Sequence, residues 1–184
     1  FMADDLPPDF VQRPEEFEPL AENLFRYAGK GIINLGVSVG TRIEYVYPLE
    51  GNEAVLGLDL ATIKGQAETV RRTMAGRRMV VAGPYDLVQG GRGVITRKPI
   101  YLSERDGGAV WGMVSMVVDW DTLLEESGIA EAKGLTISLR GLDASGKEGA
   151  IFFGSEADYD GAITLPITLP NGEGGLAGKP RGGG

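Results

Sequence analysis

Near the start of the chain the apolar residues Phe17, Leu20, Ala21, Leu24 and Ala28 fall at helical spacing, with Glu15, Glu16, Glu18 and Glu22 opposite and in the opening turns. This predicts an amphipathic helix. Pro19 requires either that the helix begin near Glu16, with the proline early, or that it bend there. Gly29 and Gly31 stop it. The period then drops to two. Residues 32–39 read as a strand, Gly40 and Thr41 as a turn, and residues 42–47 as a second strand in which Ile43, Tyr45 and Tyr47 alternate. Pro48 ends that ladder for want of an N–H, and Gly51 and Asn52 suit a tight bend. Asp59 then caps a helix that carries Ile63, Ala67, Val70 and Met74 and stops at Gly76. Residues 79–82 form a short strand, 83–91 a loop, 93–102 and 109–118 a hairpin turning at Asp106, Gly107 and Gly108. Asp119 or Asp121 caps a helix over 120–126.

Paired strands with helices laid between them, without strict strand-helix alternation, predict an antiparallel sheet in an α+β domain. A sheet covered by helices leaves room for a small molecule between the layers. The pattern changes after residue 134. Residues 135–141, 150–153, 162–169 and 176–179 are short strand candidates separated by Gly, Asp, Ser and Pro, with no helix of length, so a second, smaller β-rich unit is expected. The glycine-heavy stretch 172–184 is expected to fray, as is the polar, proline-containing leader 1–13.

Composition narrows the chemistry. With 184 residues, 42% of them hydrophobic, the chain can build a sizeable core. Its net charge of −8 argues against nucleic acid or an anionic membrane surface as a partner. Cysteine and histidine are absent, which removes thiolate nucleophiles, zinc–thiolate sites and the commonest general base. No apolar run reaches the roughly 18 residues that span a bilayer. Phe1 ahead of Met2 is not a natural start and reads as a cut segment or an expression scar.

The motif candidates for catalysis fail one by one. Gly178-Lys179 lacks the earlier glycine of a phosphate-binding loop, since Glu173 stands there, and Pro180 replaces the serine or threonine that holds magnesium. Gly90-Gly91-Arg92-Gly93 precedes a strand instead of opening a helix, so it reads as turn chemistry. In Asp119-Trp120-Asp121 capping accounts for one carboxylate and solvent for the other. Ser115 and Ser155 have no histidine to activate them. No catalytic residue, metal site or cofactor is expected. What remains is a binding constellation: Tyr45, Tyr47, Tyr85, Tyr101 and Trp111 on or beside strands, with Gln66, Gln89 and Arg97 as polar fixtures. The plainer reading of each tyrosine is strand filler with its hydroxyl at the surface.

Three ordered stretches, 45–60 (YVYPLEGNEAVLGLDL), 82–93 with 99–101 (AGPYDLVQGGRG and PIY) and 112–124 (GMVSMVVDWDTLL), resemble the CHASE family, extracytoplasmic sensor domains of bacterial and plant receptors. Residues 135–139 and Leu169-Pro170-Asn171-Gly172 fit the family's tail. The resemblance implies a long N-terminal helix within residues 1–31, a membrane-distal, PAS-like ligand-binding domain over 32–126, and a smaller, degenerate PAS-like β-rich proximal domain over 127–184. It also implies a periplasmic or extracellular location between two transmembrane helices and a homodimer. Ligand occupancy would pass to a cytoplasmic histidine kinase or a cyclic-di-GMP enzyme. Ala82, Pro84, Leu87 and Val88 fall where the family lines its pocket, Gln89 follows them, and Tyr101 ends the matching strand. The full candidate ligand-binding set is Tyr47, Gln66, Ala82, Tyr85, Leu87, Val88, Gln89, Arg97, Tyr101 and Met113. The aspartate with which plant members grip their cytokinins has no counterpart, because Gly65 or Gln66 stands there. Gly174 and Gly184 stand where relatives carry tryptophan. The alternative is a stand-alone binding or structural module without signalling output.

Overall fold

The computed structural model describes residues 14–101 and 108–181. The expected leader, the turn at Asp106 and Gly107, and the chain beyond residue 181 lie outside the described residues. The first helix, α1 (Phe17–Tyr27), begins with Phe17, so Pro19 sits in the first turn, where its missing N–H has no intrahelical partner to lose. Five antiparallel strands follow: β1 (Ile32–Val39), β2 (Arg42–Tyr47), β3 (Val80–Asp86), β4 (Arg92–Tyr101) and β5 (Val110–Asp119). They form one sheet in the order β2-β1-β5-β4-β3.

Both faces of this sheet are covered, and side-chain alternation divides its residues between them. Leu35, Val37, Ile100 and Val114 pack with Phe17 and Ala21 of α1. On the opposite face Ile43 and Met113 pack with Val55, Leu60 and Val70. These last three come from two single-turn helices, Glu53–Val55 and Leu60–Thr62, and from α2 (Ala67–Ala75).

Three features depart from the sequence pattern. Asp59 caps only the single turn Leu60–Thr62, its carboxylate taking Ala61 N at 3.0 Å and the Thr41 hydroxyl at 2.7 Å. Gly65, at φ +84°, then breaks the right-handed path, so α2 starts at Ala67. In β2 the register slips between Tyr45 and Ile43, leaving Glu44 as an extra residue. This bulge sends Tyr45 and Tyr47 to the α1 face while Ile43 faces the other way. The expected short strand 79–82 runs on to Asp86, because a bulge at Gly83-Pro84 takes the proline out of the ladder and β3 is an edge strand, where proline is tolerated. Residues 87–91 close the β3–β4 turn, with Gly90 and Gly91 both at positive φ.

After α3 (Trp120–Glu126), capped by Asp119 through Thr122 N at 2.8 Å, the chain builds a second antiparallel sheet. Its strands are β6 (Leu135–Arg140), β7 (Ile151–Phe153), β8 (Ile163–Leu169) and β9 (Gly172–Pro180), in the order β7-β6-β9-β8. The expectation that the chain frays from residue 172 is corrected here. β9 lies between β6 and β8, so its backbone is hydrogen-bonded on both sides and needs little from its side chains. Gly174 suits that place, since a Cβ there would stand 3.3 Å from Arg140 O.

The second sheet holds the free edge of the first with two side chains. Asn171, in the β8–β9 turn, accepts from Val81 N at 2.9 Å and donates to Val81 O at 3.0 Å, in the manner of a neighbouring strand. Asp143 accepts from Gly83 N at 2.8 Å and from the Tyr85 hydroxyl. Trp120 stacks edge-on against Phe152 at 5.7 Å and lies near Phe153, closing the junction with apolar surface.

Candidate functional site

Between the first sheet and the segment of single turns that covers it ahead of α2 lies a small hollow of about 50 Å³. That is room for about four waters, at roughly 10–15 Å³ each. Its floor follows from alternation: Asn34 and Gly36 of β1, Ile95 and Arg97 of β4, and Ser115 and Val117 of β5 all face it. Val55, Leu58, Leu60, Ile63 and Gln66 cover it, and the 87–91 turn forms its rim through Leu87, Val88 and Gln89. Gly36 leaves space that any side chain would occupy.

Five polar side chains, Asn34, Gln66, Gln89, Arg97 and Ser115, converge on otherwise apolar walls. Arg97 is buried, 1% exposed. Its Nη2 donates to Gln66 Oε1 at 2.5 Å and its Nη1 to Thr69 Oγ1 at 3.4 Å. Burial lowers its pKa to about 10, with Tyr85 and Asp143 acting in the opposite sense, so it remains a cation at neutral pH. Gln66 is buried and occupies the position just before α2. Asn34, also buried, donates to Asn52 Oδ1 at 2.7 Å, and Gln89 donates to the same oxygen at 3.3 Å. Asn52 in turn donates to Pro48 O at 3.0 Å, so one buried amide ties β1, the turn after β2 and the rim together.

Of the ten residues expected from sequence, Gln66, Leu87, Val88, Gln89 and Arg97 line this hollow. The other five lie elsewhere. The Glu44 bulge turns Tyr47 to the opposite face, against Phe25 at 5.7 Å. Tyr101 lies four residues beyond Arg97 on β4, about 13 Å along the strand, where its hydroxyl donates to Gly76 O at the end of α2. Met113 is fully buried in the core cluster beside the hollow, and Ala82, buried on β3, is not among its lining residues. Tyr85 is turned toward Thr69 and Asp143, and both its burial and the Asp143 bond raise its pKa.

Sequence reasoning missed Asn34, Ser115 and the apolar cover. The signal was present for the first two, because each is a lone polar residue inside an apolar strand run. Among the described residues no cluster of His, Cys, Asp or Glu is arranged to hold a metal. Asp119 is engaged as a helix cap. A second hollow, about 230 Å³, lies at the junction of the sheets among Trp120, Leu123, Leu139, Phe152 and Ile167, with almost no polar lining.

A covered antiparallel sheet with a smaller sheet fastened to its edge is a fold that this chain shares with solved structures. The chain superposes with a TM-score of 0.64, at 16% identity, on an extracellular ligand binding receptor from Desulfohalobium retbaense, covering 88% of this chain and 32% of that one. The sensory domain of the Campylobacter jejuni chemoreceptor Tlp3 matches with a TM-score of 0.52 at 13% identity, over 90% of this chain and 73% of that one. The ligand binding domain of the Pseudomonas aeruginosa amino acid chemoreceptor PctC, in complex with GABA, gives a TM-score of 0.49 at 14% identity, over 96% and 93%. No curated protein matches the chain in sequence. The CHASE domain model matches residues 8–153, and the chain belongs to the CHASE family. It is an extracellular sensor domain. Among the described residues no helix is long and apolar enough to cross a membrane.

Proposed function

We propose that the chain is the non-enzymatic, small-molecule-sensing module of a transmembrane receptor, and that its ligand sits in the hollow between the five-stranded sheet and the segment of single turns ahead of α2. The observation that carries this reading is the convergence of Asn34, Gln66, Gln89, Arg97 and Ser115 on an otherwise apolar space. A few placed polar groups in apolar walls is how small-molecule sites are built. Residues 32–126 act as a PAS-like, membrane-distal binding unit, and residues 127–184 as the proximal unit that carries the signal onward. The separate antiparallel sheets support that division. Membership of the CHASE family supports flanking transmembrane helices, a dimer, and a histidine kinase or cyclic-di-GMP enzyme as output.

The ligand must prefer one state of the receptor, typically by about 1–3 kcal/mol. Among the contacts that can transmit that preference are the Asp143 and Asn171 bonds between the two sheets. A thermal-unfolding screen against small organic acids, amino acids and purines tests the reading. A compound at about 100 times its Kd stabilises the folded state by about 2.7 kcal/mol. Gly36→Leu, which fills the hollow from its floor, should remove every such shift while Gly36→Ala folds normally, since a Cβ there meets nothing nearer than Tyr45 O at 3.5 Å. Shifts that survive Gly36→Leu in a folded protein would place the site elsewhere.

A further inference from the structure

Arg97 is a cation that the fold buries without an anion. Its two described hydrogen-bond partners, Gln66 and Thr69, are neutral, and its Nε is buried with no partner among the described residues. A buried charge is costly unless it is paired, and an unmade bond to a buried N–H adds to that cost. Asp143, the acid that acts on it through space, is already engaged by Gly83 N and the Tyr85 hydroxyl. Yet Arg97 lines the hollow, so an anion entering that space can supply the opposite charge that the protein does not.

We propose that the hollow takes a small monocarboxylate and that Arg97 holds its carboxylate. This rests on the reading of the hollow as the ligand site and narrows its chemistry. Guanidinium is a planar fork that matches a carboxylate with two parallel bonds. The space admits a molecule of about four to six heavy atoms, since it holds about four waters. Asn34, Gln66 and Ser115 offer further polar contacts around the head group, and Ile43, Ile95 and Val117 offer apolar wall to a short alkyl chain.

The test uses the ¹H–¹⁵N resonance of Arg97 Nε, assigned by its loss in Arg97→Gln. Wild-type protein is titrated with acetate, propionate and glycine, with the matched acetamide, propionamide and glycinamide, and with inorganic phosphate. The proposal predicts that at least one carboxylate moves the Arg97 resonance saturably while its amide does not, and that Arg97→Gln weakens that carboxylate by about 30-fold or more. An Arg97 resonance unmoved by every carboxylate at about 100 mM overturns the proposal, whether or not Arg97→Gln folds. Equal responses to acid and amide, or a response to phosphate alone, also overturn it. In those cases loss of binding in Gly36→Leu leaves the hollow standing as a ligand site. Carboxylate binding undiminished in Gly36→Leu overturns both the proposal and the reading beneath it.

Discussion

Asp143→Ala cuts the more strongly polar of the two ties between the sheets. The carboxylate accepts from Gly83 N at 2.8 Å and from the Tyr85 hydroxyl, and both groups are part-buried. Bonds to a charged acceptor contribute about 1.5–3 kcal/mol each in protected settings. Partial exposure argues for the lower end, so the pair is worth about 3 kcal/mol. Some of that returns if Tyr85 tightens its 3.5 Å approach to Thr69. For a chain of this size each 1 kcal/mol is about 2–4 °C in Tm, which gives a fall of about 6–12 °C. Asp143 adopts φ 60°, which asparagine also accepts, and an amide oxygen can still take both donors. Asp143→Asn should therefore lose only about 1 kcal/mol, the charge assistance. Urea unfolding followed by circular dichroism provides the free energies, and a double-mutant cycle with Tyr85→Phe isolates the hydroxyl–carboxylate bond. That cycle should return a coupling of about 1 kcal/mol or more. A loss below about 0.5 kcal/mol in Asp143→Ala, or no coupling to Tyr85, would refute the junction described here.

Asn52→Leu strands the buried Asn34 amide, which donates to Asn52 at 2.7 Å, and frees Gln89. It should cost about 2–3 kcal/mol in urea unfolding and speed amide exchange in the 87–91 turn; unchanged exchange there would mean that Asn52 does not hold the rim. Acid should weaken the fold through Asp59 and Asp158. Hydrogen bonds from Thr41 and Ala61 hold the first below the ordinary carboxylate value of 3.8, and bonds from Ser155 and Ser138 hold the second there. With folded pKa values below the unfolded ones, their contribution is complete above about pH 5 and disappears as pH falls through the lowered values. Stability should be level from about pH 7 to 5 and then drop, less steeply in Asp158→Asn; superimposable profiles for the two proteins would show that Asp158 plays no part.

Much of the fold follows from local pattern. The helix over 120–126 has the bounds expected from Asp119 and its apolar spacing, and the strands pair antiparallel as their grouping requires. What local pattern could not carry is what bulges and neighbours decide. Ile43, Tyr45 and Tyr47 alternate without interruption in sequence, yet the extra residue Glu44 puts Ile43 on one face and both tyrosines on the other. Nothing within β2 announces that slip, because it is set by pairing with β1. The glycine-rich β9 has little apolar content of its own, and its order comes from strands on either side. Gln66, Arg97 and the 87–91 turn were legible as polar or turn residues beside strands. Asn34 and Ser115 were readable by the same logic. The single turns that supply Val55 and Leu60, and the link between them that carries Leu58, were not, since three-residue helices have no period to detect.

A ligand of this domain should occupy the space above Gly36. Isothermal titration of a compound that raises the Tm of the wild type, repeated on folded Gly36→Leu, tests it most directly. A saturable heat in the wild type that vanishes in the variant is the predicted result. The same affinity in both proteins would contradict it.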